Sequence, residues 1–216
     1  MRITDIEPVV VHVTERGDWV FVRVHTDAGL VGLGEASHSL NDALLLTTLE
    51  IFKEKIIGLS PLAVREIWRR LARVDGGRVT HTALSAIEQA LWDIMGQELG
   101  VPIHALFGSG VRRRIRLYAN INRHVRDRSP EGFAQAAKTA VDEGFTAVKL
   151  APFDEVRARD HVRTGPHAPW RTGMARVAAV REAVGEGIDV MIDCHGRMDP
   201  SEAIAVGKAL APYDLM

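Results

Sequence analysis

From about residue 114 the chain repeats one arrangement three times, a short apolar strand followed by a helix, and nothing else in the sequence constrains the fold as much. Ile115 to Ile121 reads as the first strand, and Ser129-Pro130-Glu131 opens a helix that ends near Gly144. Phe145 to Ala151 is the second strand. A loop rich in Pro, Gly, His and Arg runs to about Gly173, and a helix from Met174 to Val184 leads to a third strand, Asp189 to Cys194. Asp199-Pro200-Ser201-Glu202 then places a capping carboxylate, a proline at the first helical position and a glutamate at the third, which together start a helix. Successive strand–helix units imply parallel strands with helical crossovers. Periodicity does not choose between an open sheet and a barrel. A complete (β/α)8 barrel takes about 250 residues, so a barrel carries the expectation that the chain is incomplete.

Residues 1–113 read differently. Ile3 to Val13 and Trp19 to His25 alternate as strands, Asp27-Ala28-Gly29 supplies a turn, and Leu30 to Glu35 is a third strand, giving an antiparallel meander. Leu44, Leu45, Leu49, Phe52 and Ile56 recur at helix spacing before Gly58. Ser60-Pro61 is expected to open a second helix with a capping hydroxyl and a proline at its first position. Leu84, Ile87, Leu91, Ile94 and Met95 form the apolar face of a third helix, bounded by Gly100 and Pro102. The expectation is an α+β domain over 1–113 and the first three strand–helix units of an α/β structure over 114–216. Gly29, Gly32 and Gly34 run G-x-x-G-x-G inside a hairpin, so they are no phosphate loop.

Twenty-seven basic and 28 acidic side chains leave a formal net charge of -1, which gives no reason to expect nucleic acid or an anionic membrane as partner. No apolar run is long enough to cross a bilayer, the amino terminus lacks a secretion pattern, and the single cysteine permits no internal disulfide. A cytoplasmic protein is the expectation.

In parallel α/β folds, chemistry gathers at the carboxyl ends of strands. Asp193 and His195 end the third strand, and alternation puts them on one face with Cys194 opposite. Together they can bind a hard cation and move a proton; otherwise Asp193 caps the next turn and His195 is a surface residue. Cys194 reads as a small buried hydrophobe. Lys149, in an otherwise apolar strand, either stabilises negative charge beside a carboxylate or reaches from a strand end to water. Asn120, Asn122 and His124 follow the first strand. Alternation would put Asn120 and Asn122 on one face to hydrogen-bond a polyhydroxylated substrate, unless they are ordinary turn residues. His161, His167 and Trp170 fall in the long loop and read as solvated.

The segment from Ala83 through Glu88-Gln89-Ala90-Leu91-Trp92-Asp93 to Leu106-Phe107-Gly108 resembles the signature of the mandelate racemase and muconate lactonizing enzyme family in the enolase superfamily. The resemblance covers essentially the whole chain and implies a capping domain followed by the start of a modified TIM barrel. It further implies Mg²⁺ held by carboxylates at the ends of three successive barrel strands, and Asp193 matches the first. Asp193-Cys194-His195-Gly196-Arg197 is similar to the galactonate dehydratase pattern, in which the matching histidine, here His195, is the general acid. Many racemases of the family carry Lys-x-Lys on the second barrel strand; Lys149-Leu150-Ala151 lacks the second lysine, so Lys149 would act electrostatically. The remaining metal ligands and the base would lie past Met216. Loops near 14–20 and 37–43 are expected to close over substrate, making Trp19 and His38 candidate contacts, and Arg197 a candidate for the substrate carboxylate or a distal hydroxyl.

The leading expectation is a homo-oligomeric, Mg²⁺-dependent dehydratase of a sugar acid in the full-length parent, with the chain as given incomplete and inactive. The alternatives are a racemase or epimerase of a 2-hydroxy acid with His195 as a base, and a non-catalytic fragment acting through capping-domain contacts.

Overall fold

The expected meander is present. The structure is a computed structural model that describes residues 1–14, 17–37, 41–74, 76–108, 110, 112–123, 125–157 and 168–216, with the side chains at 14, 17 and 123 outside that description. It divides into two units, Met1–Arg113 and Arg114–Met216.

In the first unit, β1 (Ile3–Thr14), β2 (Gly17–Thr26) and β3 (Val31–Glu35) pair antiparallel in that order. Gly29, at φ +79°, makes the left-handed turn between β2 and β3 without the clash a Cβ would bring. Val20, Val22 and Val24 point to one face of β2 and are fully buried. They pack among Leu45, Leu49, Phe52 and Ile56 of α1 (Asp42–Ile56), Ile67 and Leu71 of α2 (Val64–Leu71), and Ala83, Ile87 and Ile94 of α3 (Gly77–Leu99). A short α4 (Ile103–Leu106) follows. The second helix begins later than Ser60-Pro61 predicts: Ser60 O accepts the Ala63 N–H in a turn, and helix starts at Val64 with no side-chain cap.

The glycines of β3 let α3 approach. A Cβ on Gly32 or Gly34 would fall on the carbonyl oxygen of Ala90 or Ala86. At that separation α3 also covers the free edge of β3. Leu33 N donates to Asp93 Oδ2 at 2.9 Å, Glu35 N donates to Gln89 Oε1 at 3.1 Å, and Gln97 Nε2 donates to Val31 O at 2.8 Å. Three side chains at i, i+4 and i+8 of one helix thus satisfy alternate backbone groups of an edge strand, groups that would otherwise invite another strand.

In the second unit, β4 (Ala119–Asn120), β5 (Ala147–Leu150) and β6 (Asp189–Ile192) are parallel and adjacent in that order. Between and after them run α5 (Pro130–Asp142), α6 (Trp170–Val184) and α7 (Pro200–Leu210). Ser129 caps α5 by accepting Gly132 N, and Asp199 and Glu202 complete the capping box of α7. Val148 and Leu150 of β5 and Val190 of β6 share a core with Phe133 and Ala137 of α5 and Val180 of α6. Val206 and Leu210 of α7 pack with Val177 of α6 and with Ile192 at the end of β6. The helices pack against the Val148 side of the sheet, as right-handed crossovers between sequential parallel strands require.

Three expectations are corrected here. The first strand is two residues rather than seven, because β5 offers ladder partners only to Ala119 and Asn120, and Ile115 and Leu117 are largely exposed. Helix α6 begins at Trp170 rather than Met174: Gly173 lies inside it, where a side chain would strike the ring of Phe153 and the carbonyl of Pro152. β6 stops at Ile192, before Asp193. Among the described residues no helix is long and apolar enough to cross a membrane.

Candidate active site

The parallel register aligns Asn120, Lys149 and Met191 in one row across β4, β5 and β6. Their neighbours Val148, Leu150 and Val190 face the helices, so this row faces the opposite side. Asp193 follows β6 by one residue, and its N–H donates to Leu150 O at 2.9 Å. That bond extends the pairing far enough to bring the Asp193 carboxylate beside Lys149, whose Nζ lies 3.0 Å from Oδ2.

His195 reaches the same carboxylate by a route other than strand alternation. Its backbone is left-handed, φ 51°, as is that of Gly196 at 62°. His195 N donates to Asp193 Oδ1 at 3.0 Å, and Arg197 N donates to Cys194 O at 3.1 Å. The tight turn sets the imidazole Nε2 3.6 Å from Asp193 Oδ2, with the ring half-exposed. Asp193 therefore caps the turn and also faces the lysine and the histidine.

The charge states follow from these contacts. The His195 N–H and the Lys149 ammonium hold the Asp193 carboxyl below the usual carboxylate range, against a smaller opposing effect of burial. The hydrogen bond to Asp193 raises Lys149 above its ordinary value, so it stays an ammonium at neutral pH. Burial, and then the Asp193 charge, push the Cys194 thiol up, away from thiolate chemistry.

A second group of residues holds the loop that leaves β5. Arg128 Nη2 donates to Ala151 O at 3.1 Å, Arg176 Nη1 to Pro152 O at 2.6 Å, and Arg197 Nη1 to Phe153 O at 3.2 Å and to Asp154 O at 2.9 Å. Four successive carbonyls are thus taken by three arginines from three different segments. Their charge is balanced locally: Arg128 Nε donates to Asp154 Oδ2 at 2.7 Å, and the buried Arg176 makes a bidentate pair with Glu155 at 2.7 and 2.8 Å. Arg128 lies 4.4 Å from the centre of the Phe133 ring. Sequence reasoning missed Arg128, Arg176, Asp154 and Glu155. The one signal was Arg176 in the apolar stripe of α6 next to Val177 and Val180.

Of the residues singled out from sequence, Lys149, Asp193 and His195 come together. Asn122 does not share a face with Asn120 by alternation, because Ile121–Arg123 is a 3-10 turn. Its Oδ1 accepts from Arg128 Nη2 at 2.9 Å, and its side-chain amide nitrogen has no partner among the described residues. Arg197 spends Nη1 on the two carbonyls, and its Nη2 lies 3.9 Å from Asp154 Oδ1. Trp19 is on β2 in the first unit, half-exposed and edge-on to Phe21 at 6.4 Å. Trp170 opens α6 beneath the Arg171 guanidinium. His38, His124, His161 and His167 lie outside the described residues.

As a test for a metal, Asp193 has the right chemistry, a hard carboxylate oxygen, but the number of donors falls short. Among the described residues no group of three or more His, Cys, Asp or Glu converges. Mg²⁺ needs near-octahedral oxygen donors, and one carboxylate already paired to a lysine does not supply them.

Residues 2–108 match the mandelate racemase / muconate lactonizing enzyme N-terminal domain, and residues 132–216 match the enolase C-terminal domain-like family. A D-gluconate dehydratase of Thermoproteus tenax is 33% identical over 220 residues, covering 98% of this chain and 43% of that protein. A D-galactonate dehydratase of Pectobacterium atrosepticum is 34% identical over 198 residues, covering 90% and 50%. The chain spans about half the length of these curated relatives. Among solved structures, a member of the enolase superfamily from Salmonella Typhimurium superimposes with a TM-score of 0.86 at 28% identity, over 99% of this chain and 60% of that one. A mandelate racemase/muconate lactonizing enzyme from Jannaschia sp. CCS1 gives a TM-score of 0.84, also at 28% identity, over 100% and 60%.

Proposed function

The chain belongs to the mandelate racemase/muconate lactonizing enzyme family of the enolase superfamily, and from that premise we propose that the full-length parent dehydrates a sugar acid. The proton next to the substrate carboxylate passes to a base that none of Lys149, Asp193 and His195 supplies, the bond to the β hydroxyl breaks, and the departing oxygen leaves as water with a proton from His195. The enol that remains becomes a 2-keto-3-deoxy acid. The observation that carries this reading is the Lys149–Asp193–His195 cluster at the ends of β5 and β6. The dehydratases of sugar acids among its relatives support the same choice.

Each side chain has a role its environment allows. His195 stands half-exposed, able to give a proton to a leaving group. Lys149 stays an ammonium and stabilises negative charge rather than taking a proton. Asp193, an easily ionised carboxylate, would be one oxygen ligand for Mg²⁺ in the full-length parent, where other residues would have to supply the further donors that the ion needs beside a substrate carboxylate. The amide nitrogen of Asn122, the guanidinium of Arg197 and the indole of Trp19 are proposed substrate contacts. The alternative, racemisation with His195 as a base, draws on the same cluster, and Lys149, held as an ammonium, would not serve as its second base. The same reading makes the enzyme a cytoplasmic homo-oligomer, checked by light scattering.

The experiment incubates the full-length parent with Mg²⁺ and a panel of sugar acids and measures 2-keto-3-deoxy acid. His195→Asn is expected to lower turnover by about 10²–10⁴-fold, the usual contribution of a general acid, with Mg²⁺ binding nearly intact. Unchanged turnover in that variant removes His195 from the mechanism. Deuterium entering from solvent at the α carbon, without loss of water, would replace dehydration by racemisation.

A further inference from the structure

Helix α2 carries cations that the strand-end chemistry does not use. Arg65, Arg69 and Arg73 recur every four residues, so their guanidinium groups follow one another along one side of the helix and its continuation. Like charges at this spacing repel. None of the three has a hydrogen bond or ion pair among the described residues, whereas neighbouring Arg70 donates to Lys55 O and Glu66. Two hollows adjoin this row and share Arg69. One, of ≈320 Å³, is lined by Glu66, Arg69, Arg70 and Arg73. The other, of ≈220 Å³, is lined by Val64, Arg65, Trp68, Arg69, Glu88 and Trp92.

We propose that these hollows together bind a purine nucleoside triphosphate, with the base in the tryptophan-lined hollow and the phosphates in the arginine-lined one. The chemistry of the linings selects this class. The unpaired guanidinium groups of Arg69 and Arg73, which line the second hollow, match a chain of anionic oxygens and hold it with charge-assisted hydrogen bonds. The exposed indole of Trp68 gives a flat ring a surface to stack on, beside Trp92, whose own ring leans on Phe107 at 4.9 Å. Glu88, which has no ion pair among the described residues, disfavours a carboxylate or phosphate in the aromatic hollow and accepts N–H donors instead, whereas Glu66 in the other hollow is paired with Arg70. A guanine edge presents two adjacent N–H groups, one for each carboxylate oxygen, so GTP is favoured over ATP. Small-molecule sites start at about 300 Å³, so the aromatic hollow holds a base and the second hollow is needed for the rest. An acyclic sugar acid has no ring to stack and is not the ligand of this surface.

The test titrates the purified chain with GTP, ATP, inorganic triphosphate and a short single-stranded RNA at low ionic strength, following tryptophan fluorescence. GTP is expected to quench saturably and to bind more tightly than ATP or inorganic triphosphate. Trp68→Leu should remove most of the quenching. Arg69→Gln should weaken GTP by about tenfold or more, the loss expected for one charge-assisted contact, and Glu88→Gln should erase the preference for GTP over ATP. Trp68 and Arg69 are exposed, so unchanged circular dichroism is expected and serves as the control. Absence of saturable quenching by GTP, equal binding of inorganic triphosphate, tighter binding of the RNA, or wild-type affinity in the Trp68 and Arg69 variants would each overturn the proposal.

Discussion

Lys149 lies between Val148 and Leu150, both fully buried, yet its ammonium is met by a carboxylate rather than by water alone. The pair is partly exposed, so its worth is that of a surface ion pair, about 0.2–1 kcal/mol. Lys149→Met is expected to destabilise by no more than that in urea unfolding, and the difference should depend on pH at both ends. Asp193 titrates lower in the folded chain than its ordinary 3.8. Its contribution is therefore complete above 3.8 and is lost as pH falls through the folded value. Lys149 titrates higher than 10.5, so its contribution is complete below 10.5 and is lost as pH rises through the folded value. Between those limits the difference between wild type and variant should be flat; a difference that changes near pH 7 contradicts this assignment. His195 carries a separate constraint, its positive φ. Asn tolerates that conformation, and a β-branched residue does not. His195→Val should lose about 1–2 kcal/mol of stability relative to His195→Asn, measured by the same unfolding curves.

At the scale of elements, two devices hold the chain in place, and both are made of polar side chains meeting backbone. The first is α3 against β3. Gly34→Ala would drive a methyl into the Ala86 carbonyl, which is backbone and cannot swing aside. A loss of about 1–3 kcal/mol is expected, whereas Gly187→Ala, with open space around it, should change stability little. Equal melting temperatures for the two variants would contradict the close approach. The second device is the arginine grip on residues 151–154. Arg176→Met leaves the carbonyls of Arg128 and Pro152 without their donor and Glu155 without its partner. The expected cost is about 1–3 kcal/mol, accompanied by faster amide exchange at Phe153–Val156. Arg176→Lys should rescue little, because a point charge cannot serve four acceptors in a plane.

At the scale of the molecule, each unit has its own core: Val22, Phe52 and Ile87 lie at the centre of one, Phe133, Val148 and Val190 at the centre of another. A fragment of residues 1–113 is expected to unfold in one cooperative thermal transition, as a domain with its own core does. A fragment of residues 114–216 keeps a parallel sheet with short strands and largely exposed Ile115 and Leu117. It should bind a hydrophobic dye and associate at micromolar concentration. A non-cooperative melt for the first fragment would mean that its core does not suffice.

What the sequence determined by itself is local and periodic. Apolar spacing placed the faces of α1 and α3, the Asp199–Glu202 box placed the start of α7, and three strand–helix units dictated parallel strands, because these depend on neighbours a few residues apart. Alternation within β5 and the motif around Asp193 pointed to Lys149, Asp193 and His195. Tertiary structure decided the rest. It ended β6 at Ile192 and brought His195 back to Asp193 through a left-handed turn, where alternation alone puts both side chains on one strand. It shortened β4 because a strand is only as long as its partner allows. It showed why β3 is rich in glycine and why Gln89, Asp93 and Gln97 stand four apart, since both answers lie on a helix more than fifty residues away. The arginine grip was invisible for the same reason. A charged side chain in a sequence reads as solvent-facing until the fold supplies the carbonyls and carboxylates that satisfy it.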